Sequence, residues 1–430
     1  MITAGGTRIA CVLVGLPGRN KTLLAHKVCR YLQWLGVPTR VFNVGNYRRS
    51  LYGAAQPHSF FDPANEEGAA QRHHSSQVAL DDLVQWLTRH GGTVAIYDAT
   101  NSTVERRQSI REKCTAKGIE VMFVETICDD ESVILENVLQ VKLHSPDYEH
   151  LPALEKAVVD DFVQRIAHYK DTYVSVNEHG DETDSSFVRL VNLGSSIVIQ
   201  HITCYLQSRV VFYLMNLHSM PRAIFFTRHG ESMANVSGKL GGDTDLSPRG
   251  HMYAKTLPRL IKEHMGDRPL TVWTSTLRRT IQTVRYLDYP KLHWKALDEL
   301  DAGVCDGLTY EEVAELYPQE YAARDEDKFN YRYPGGESYR DVVLRLEPVI
   351  MELERQKDIL IAGHQAVLRC IYAYFLNYSP DDLPYIKIPL HTVMKLTPTA
   401  YGCDIEQYKF DIGAVDTHRP NPKKQASSST

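Results

Sequence analysis

The sequence predicts two consecutive α/β domains, each a mostly parallel sheet flanked by helices. From residue 8 to about 200, short β-branched runs alternate with longer helical stretches, as strands do when each needs a covering helix before the next. A polar segment at 173–196 and a helical tract ending near His218-Ser219-Met220-Pro221 interrupt that rhythm. It then restarts at Ala223 and runs to about residue 412. The 430 residues, 43% hydrophobic and 23% charged, suffice for two separate cores. The expected domains are 1–220 and 221–415. A tail over 416–430, rich in Pro, Lys and Ser, is expected to be disordered because it can bury almost nothing.

A formal net charge of −5 gives no global pull toward nucleic acid or anionic membrane, so neither is expected as a partner. Small phosphorylated molecules, held by local Arg and Lys clusters, fit better. The eight cysteines, at 11, 29, 114, 128, 204, 305, 370 and 403, contain no Cys-x-x-Cys pair. That argues against disulfides and thiolate metal sites and for a reducing cytoplasm. The apolar start Ile9 to Leu16 is too short for a signal core and reads as the first strand. The tract from Ile197 to Leu217 is broken by Gln200, His201, Gln207, Ser208 and Arg209, which excludes a membrane span.

Strands are expected at 8–14, 40–44, 93–97 and 120–125. The first runs into Gly15-Leu-Pro-Gly-Arg-Asn20-Lys21-Thr22 and then directly into a helix, the context of a phosphate-binding loop. Backbone N–H groups and the helix N-terminus would hold phosphates, Lys21 would neutralise charge between them, and Thr22 would offer its hydroxyl to Mg²⁺. Asn20 stands where the standard loop has Gly; Asn is the substitute that best tolerates a left-handed backbone. The competing reading is a tight strand-to-helix connection. The third strand ends in Asp98, followed by Ala-Thr100-Asn101, where a Mg²⁺ partner belongs. The competing role for Asp98 is a helix cap, for which Ser102 and Thr103 are better placed. Arg48, Arg49, Arg72 and Lys142 fall in or near expected loops and could hold the acceptor, although each alone reads more readily as a solvated charge than as a ligand.

In the second half, the strand Ala223 to Thr227 is followed by Arg228-His229-Gly230-Glu231. Neutral imidazole is a competent nucleophile near pH 7, and its attack on a phosphate ester would give phosphohistidine. Arg228 would hold phosphate oxygens. Further parts follow other strands: Arg278-Arg279 after Thr271 to Trp273, Glu299 as general acid, and Gly363-His364-Gln365 after Ile359 to Ala362. A basic and aromatic stretch containing Tyr310, Arg324, Lys328, Tyr331, Arg332, Tyr333 and Tyr339 would suit a second phosphate; the bland alternative is a solvated loop.

Taken together, these motifs closely resemble the bifunctional 6-phosphofructo-2-kinase/fructose-2,6-bisphosphatase family along nearly the whole chain. The resemblance is carried, in order, by Phe42-Asn-Val-Gly-Asn-Tyr-Arg-Arg49, Asn65-Glu-Glu67, Asp98-Ala-Thr-Asn101, Val141-Lys-Leu-His-Ser-Pro-Asp-Tyr148, Arg228-His-Gly-Glu231, Leu300-Asp-Ala-Gly-Val304, Tyr333-Pro-Gly-Gly-Glu-Ser-Tyr339 and Gly363-His-Gln-Ala-Val367. It implies a P-loop NTPase-like fold followed by a phosphoglycerate-mutase-like fold, in a cytoplasmic homodimer that controls glycolysis.

The first half would transfer the γ-phosphoryl of MgATP to the 2-hydroxyl of fructose 6-phosphate. Gly15, Gly18, Arg19, Asn20, Lys21, Thr22 and Asn137 match ATP positions, with Thr22 and Asp98 on the metal. Arg48, Arg49, Arg72, Thr100, Lys142, Arg165 and Tyr169 match positions on the sugar phosphate. The second half would remove the 2-phosphate of fructose 2,6-bisphosphate through His229, without a cofactor. There Arg228, Asn235, Arg279 and His364 match the groups around that phosphate and Glu299 the proton donor. Gly241, Tyr310, Arg324, Lys328, Tyr339, Gln365 and Arg369 match the remaining sugar and 6-phosphate contacts.

Departures from the family pattern fall on the kinase half: Asn20, Gly18 for the usual Ala, and His-His-Ser-Ser after Arg72 where Lys-Gln-Cys-Ala is common. The balance is therefore expected to lean toward hydrolysis. The alternatives are a monofunctional fructose-2,6-bisphosphatase whose kinase half senses nucleotide, and a broad histidine phosphatase or mutase.

Overall fold

Residues 9 to 14 are apolar without interruption, so strand β1 (Arg8–Val14) is buried on both faces. Only a sheet covered by helices on both sides satisfies such a strand. The computed structural model describes residues 6–142, 146–148, 155–217, 222–399 and 402–421, without the side chains of 140–142, 155–158 and 193. The chain divides into two units, Met1–Ser219 and Met220–Thr430.

In the first unit the described strands are β1, β2 (Thr39–Asn43), β3 (Val94–Asp98), β4 (Ile119–Ile127), β5 (Ser186–Val191) and β6 (Ser196–Gln200), in the spatial order β2-β3-β1-β4-β5-β6. All neighbours are parallel except the β5–β6 edge. The connection from β1 runs to the β2 side of the sheet and that from β4 to the β5 side, so the loops at the carboxyl ends of these two neighbours part and open a crevice there. Helices cover the sheet; Leu80, Leu83 and Leu87 of helix Glu66–Arg89 pack on Val12, Val14 and Tyr97. That helix starts where the Asn65 side chain accepts from Gly68 N–H, with Glu66 and Glu67 in its first turn, where carboxylates suit the exposed N–H groups.

The polar segment 173–196, for which no strand was expected, holds β5. Its Asn and Gly residues at 192–194 make the turn into β6, while Phe187, Val188 and Leu190 pack inside. Three buried apolar residues in so short a strand are outweighed by the polar residues around them. The apolar tract after it is accordingly a strand followed by helix Tyr205–Asn216. No described helix is long and apolar enough to cross a membrane.

The second unit repeats the construction with different connections. Its described strands are β7 (Ile224–Arg228), β8 (Thr271–Thr274), β9 (Lys291–His293), β10 (Ile359–Gly363), β11 (Thr392–Pro398) and β12 (Cys403–Lys409), ordered β12-β11-β7-β10-β8-β9. The middle strands β7, β10 and β8 are parallel, and Arg228 stands opposite Gly363. Three strand ends therefore meet at one edge. Tyr253, Leu257 and Ile261 of helix Pro248–Met265 close the core against Phe225, Val272 and Leu360.

Candidate active sites

In the first unit, the turn after β1 needs glycine at two positions. A Cβ on Gly15, whose φ is +139, would stand 2.5 Å from the Thr126 carbonyl oxygen, and Gly18 has φ +76. Asn20 caps helix Lys21–Trp34 at φ 57 and ψ 15, the left-handed region that Asn enters more readily than most residues with a Cβ. The turn thus forms with Asn in the glycine's place. Lys21 is buried and donates from Nζ to the Leu16 carbonyl at 2.7 Å. Burial, opposed by Asp98, lowers its ammonium to about 7. Arg19 donates to Pro17 O at 2.9 Å, Asn137 Nδ2 lies 3.4 Å from Gly18 O, and Thr22 is half-buried at the helix start.

Asp98 ends β3, buried, and accepts from Asn43 Nδ2 at 2.5 Å across the β2–β3 pair. It is not a helix cap: Thr103 Oγ1 accepts from Arg106 N–H at 3.3 Å and caps helix Val104–Thr115. Thr100 O accepts from Gly15 N–H at 3.0 Å, which ties the two loops together. Lys21, Asp98 and Thr100 therefore share one crevice. Asn43 is a positioning residue that the sequence reading did not single out; its Oδ1 also accepts from Asn46 N–H and caps helix Val44–Tyr52.

Three of the expected sugar-phosphate arginines converge on one carboxylate. Arg48 Nη2 reaches both Asp147 oxygens at 2.6 Å, Arg49 lies 3.3 Å away and Arg165 3.9 Å away. Burial alone would raise the Asp147 carboxyl; the hydrogen bond from Arg48 and the charges of Arg48, Arg49 and Arg165 together outweigh it and hold the group below the ordinary range. Arg165 also lies 3.6 Å over the Phe61 ring, whose centroid is 6.3 Å from that of Tyr169. Arg72 donates to Phe60 O. The side chain of Lys142 lies outside the described residues.

In the second unit a cavity of about 550 Å³ opens at the ends of the central strands. His229 is 3% exposed; its backbone N–H donates to Gly363 O at 3.0 Å and its Nδ1 lies 2.7 Å from Gly230 O. A carbonyl can only accept, so Nδ1 carries the hydrogen and Nε2 keeps its lone pair. Burial first, then Arg279 and Arg228, hold the imidazole well below its ordinary value. Burial likewise lowers Arg228 to about 10, against the pull of Glu299. His364 lies 5.2 Å from His229 between ring centroids, with Nε2 2.7 Å from Ser275 Oγ and Nδ1 buried. Arg279 donates to Gly242 O at 2.5 Å; Glu299 accepts from Ala366 N–H at 3.1 Å.

The farther end of the cavity holds the expected second cluster. Arg324 donates to Tyr333 OH at 2.8 Å and Tyr310 OH at 3.2 Å, and Arg369 to Tyr339 OH at 2.9 Å. Burial, then Arg324 and Arg369, lower the Lys328 ammonium to about 6. Asn235, Gly241 and Gln365 line the cavity too; a Cβ on Gly241 would stand 1.5 Å from Asp306 Oδ1. Arg332 departs from expectation, turning to an exposed pair with Asp341 at 2.5 Å.

Three groups here carried no sequence signal. Ser275 holds His364, as above. His391, at φ 51, accepts from Glu231 N–H at Nε2, 3.0 Å, and donates from Nδ1 to Ile412 O at 3.1 Å, fixing the backbone beside His229. Residues 415–419, partly assigned to a disordered tail, are described and line the cavity; residues 422–430 lie outside the described residues.

Residues 2–221 match the family described as 6-phosphofructo-2-kinase, and residues 224–411 the histidine phosphatase superfamily, branch 1. The chain is 50% identical over 412 residues to human 6-phosphofructo-2-kinase/fructose-2,6-bisphosphatase 4, covering 96% of this chain and 87% of that one. It is 49% identical over 420 residues to the fructose-2,6-bisphosphatase of Saccharomyces cerevisiae, covering 97% and 92%. Among solved structures, the alpha-ribazole phosphatase of Shigella flexneri is similar with TM-score 0.40 and 22% identity, over 45% of this chain and all of that one.

Proposed function

Because the chain belongs to the 6-phosphofructo-2-kinase/fructose-2,6-bisphosphatase family, we propose that its two units make and break the same phosphate ester, the 2-phosphate of fructose 2,6-bisphosphate. Its first unit is an ATP-using kinase and its second a histidine phosphatase. In the first, the glycine turn, Arg19, Asn20, Lys21 and Asn137 hold ATP, and Arg48, Arg49, Arg72, Thr100, Lys142, Arg165 and Tyr169 hold fructose 6-phosphate. The reaction then needs mainly positioning and charge neutralisation. The buried Asp98 carboxylate and the Thr22 hydroxyl are hard oxygen donors that suit Mg²⁺; when bound, that ion neutralises charge on the transferring phosphoryl group. Asn43 holds the carboxylate in place.

In the second unit, Nε2 of His229 attacks the phosphorus of the 2-phosphate while the bond to the sugar oxygen breaks. Glu299 gives its proton to that oxygen and fructose 6-phosphate leaves. Water then attacks the phosphohistidine, its proton returns to Glu299, and inorganic phosphate departs with His229 restored. Arg228, Arg279, Asn235 and His364 hold the phosphoryl oxygens, while Tyr310, Arg324, Lys328, Tyr339, Gln365 and Arg369 receive the rest of the substrate. The reading rests above all on the tautomer: the Nδ1 bond to Gly230 O leaves Nε2 as the nucleophile, beside two guanidinium groups. A cytoplasmic homodimer completes it.

The test is incubation with fructose 2,6-bisphosphate labelled at the 2-phosphate. Label should appear on His229, then as phosphate, with free fructose 6-phosphate; label on another residue, or none, refutes the phosphatase mechanism. The His229→Ala protein, given ATP and fructose 6-phosphate, should accumulate the bisphosphate. The second reading, a fructose-2,6-bisphosphatase with an impaired kinase, draws on Asn20 and on the name of the yeast relative, and failure of that accumulation would favour it.

A further inference from the structure

The cavity of the second unit has a wall that no motif foretold. Val415 to Arg419 form no helix or strand, yet they are tied down along their length. Val415 N–H donates to Glu231 Oε1 at 3.0 Å. Thr417 Oγ1 accepts from Arg228 Nη1 at 2.8 Å and donates to Gln365 Oε1 at 2.9 Å. The Arg419 guanidinium lies 3.8 Å from the Tyr310 ring centroid, with Nη1 3.4 Å from Tyr321 OH. The segment thus runs from the guanidinium beside the nucleophile to the far end of the cavity.

At that far end Arg419 joins three other cations. Arg324 approaches the same Tyr310 ring at 5.0 Å, Lys328 lies 4.5 Å over the Tyr385 ring, and Arg369 is 3% exposed. Asp416 pairs outside the cluster with Lys387 at 3.7 Å; Asp325 pairs with Arg324 at 2.9 Å and Glu311 lines the same cavity, so the four cations keep an excess of positive charge. Arg419 is among the charges that depress the Lys328 ammonium. Clustered, desolvated cations are unfavourable until an anion arrives, and guanidinium forks with an ammonium suit the oxygens of a phosphate.

We propose that residues 415–419 are a strap that completes the substrate site, with Arg419 a direct ligand of the substrate's second phosphate, remote from His229. This rests on the proposed bisphosphatase reading of the second unit. The strap makes the site selective for bisphosphates: a simple monoester needs only the His229 end, whereas a ligand with phosphates at both ends also engages Arg419.

The experiment compares the full-length protein with Arg419→Ala and Arg419→Lys on fructose 2,6-bisphosphate and on p-nitrophenyl phosphate, which lacks a second phosphate. Arg419→Ala should raise KM for the bisphosphate about tenfold, the order expected for a lost charge-assisted hydrogen bond, with kcat within about twofold. Arg419→Lys should recover part of that loss, and p-nitrophenyl phosphate turnover should stay unchanged in both. An unchanged bisphosphate KM, a rise in kcat/KM as for removal of a plug, or equal losses on both substrates would each overturn the strap's assignment. If the unaltered protein hydrolyses p-nitrophenyl phosphate but not the bisphosphate, the substrate itself is wrong and the assignment goes with it.

Discussion

The two units place a nitrogen base near the end of a central strand and bury it beside cations, and burial does opposite things to their usefulness. In the first unit the buried group is the Lys21 ammonium, lowered to about 7, so near neutral pH it stands ready to lose the charge that a phosphate needs. In the second it is the His229 imidazole, held well below its ordinary value, so it keeps the lone pair that an attack needs. Removing water favours the uncharged form of either base. For a nucleophile that is activation; for a phosphate clamp it is a weakness that the arriving nucleotide must reverse.

Substitution of the bases gives the sharpest separation. His229→Ala should abolish hydrolysis of fructose 2,6-bisphosphate, on the order of 10⁴-fold or more, while the rate of its synthesis from ATP is unchanged in the same sample. A parallel fall in both rates would mean that the units do not work as separate pockets.

A pH series is next in size. Nucleotide binding should favour protonated Lys21, so ATP affinity, read by calorimetry in buffers of different ionisation heat, should weaken by up to about tenfold per pH unit above 7 and be accompanied by proton uptake. The sign is opposite for His229: its depressed value means that the neutral form persists as pH falls through the ordinary 6.5, and an NMR titration of its ring should show no midpoint there. A Lys21 affinity profile flat from pH 7 to 9 would remove the contrast.

The smallest effect concerns the turn. Asn20 already occupies the left-handed region at φ 57, which Asn tolerates better than other residues with a Cβ, so Asn20→Gly relieves at most about 1 kcal/mol of backbone strain. The kinase rate should rise by less than about tenfold. A much larger gain would mark Asn20 as the cause of a disabled kinase and favour the reading in which hydrolysis alone survives.

Much of the molecule was legible in the sequence because strands buried on both faces write uninterrupted apolar runs, and the loops that follow them carry the chemistry. The Gly15 turn, Asp98, Arg228-His229-Gly230 and Gly363-His364 could all be placed that way. What escaped detection was support supplied from a distance. Asn43 reaches Asp98 across a strand pair, Ser275 reaches His364 over 89 positions and His391 reaches Glu231 over 160. None of the three lies in a motif with the group it holds. Strand β5 was missed because its polar flanks outweighed a six-residue pattern, and the strap because composition describes what a segment can bury alone, not what it can rest upon.

Asp147 has a consequence for how the first unit admits its sugar. If these arginines hold the sugar phosphate as proposed, the incoming phosphate competes with Asp147, which already engages Arg48 and Arg49 with Arg165 close by. Docking is then an exchange of one anion for another. A dianion is attracted to those guanidinium groups more strongly than a singly charged ligand and is the better matched to displace the carboxylate.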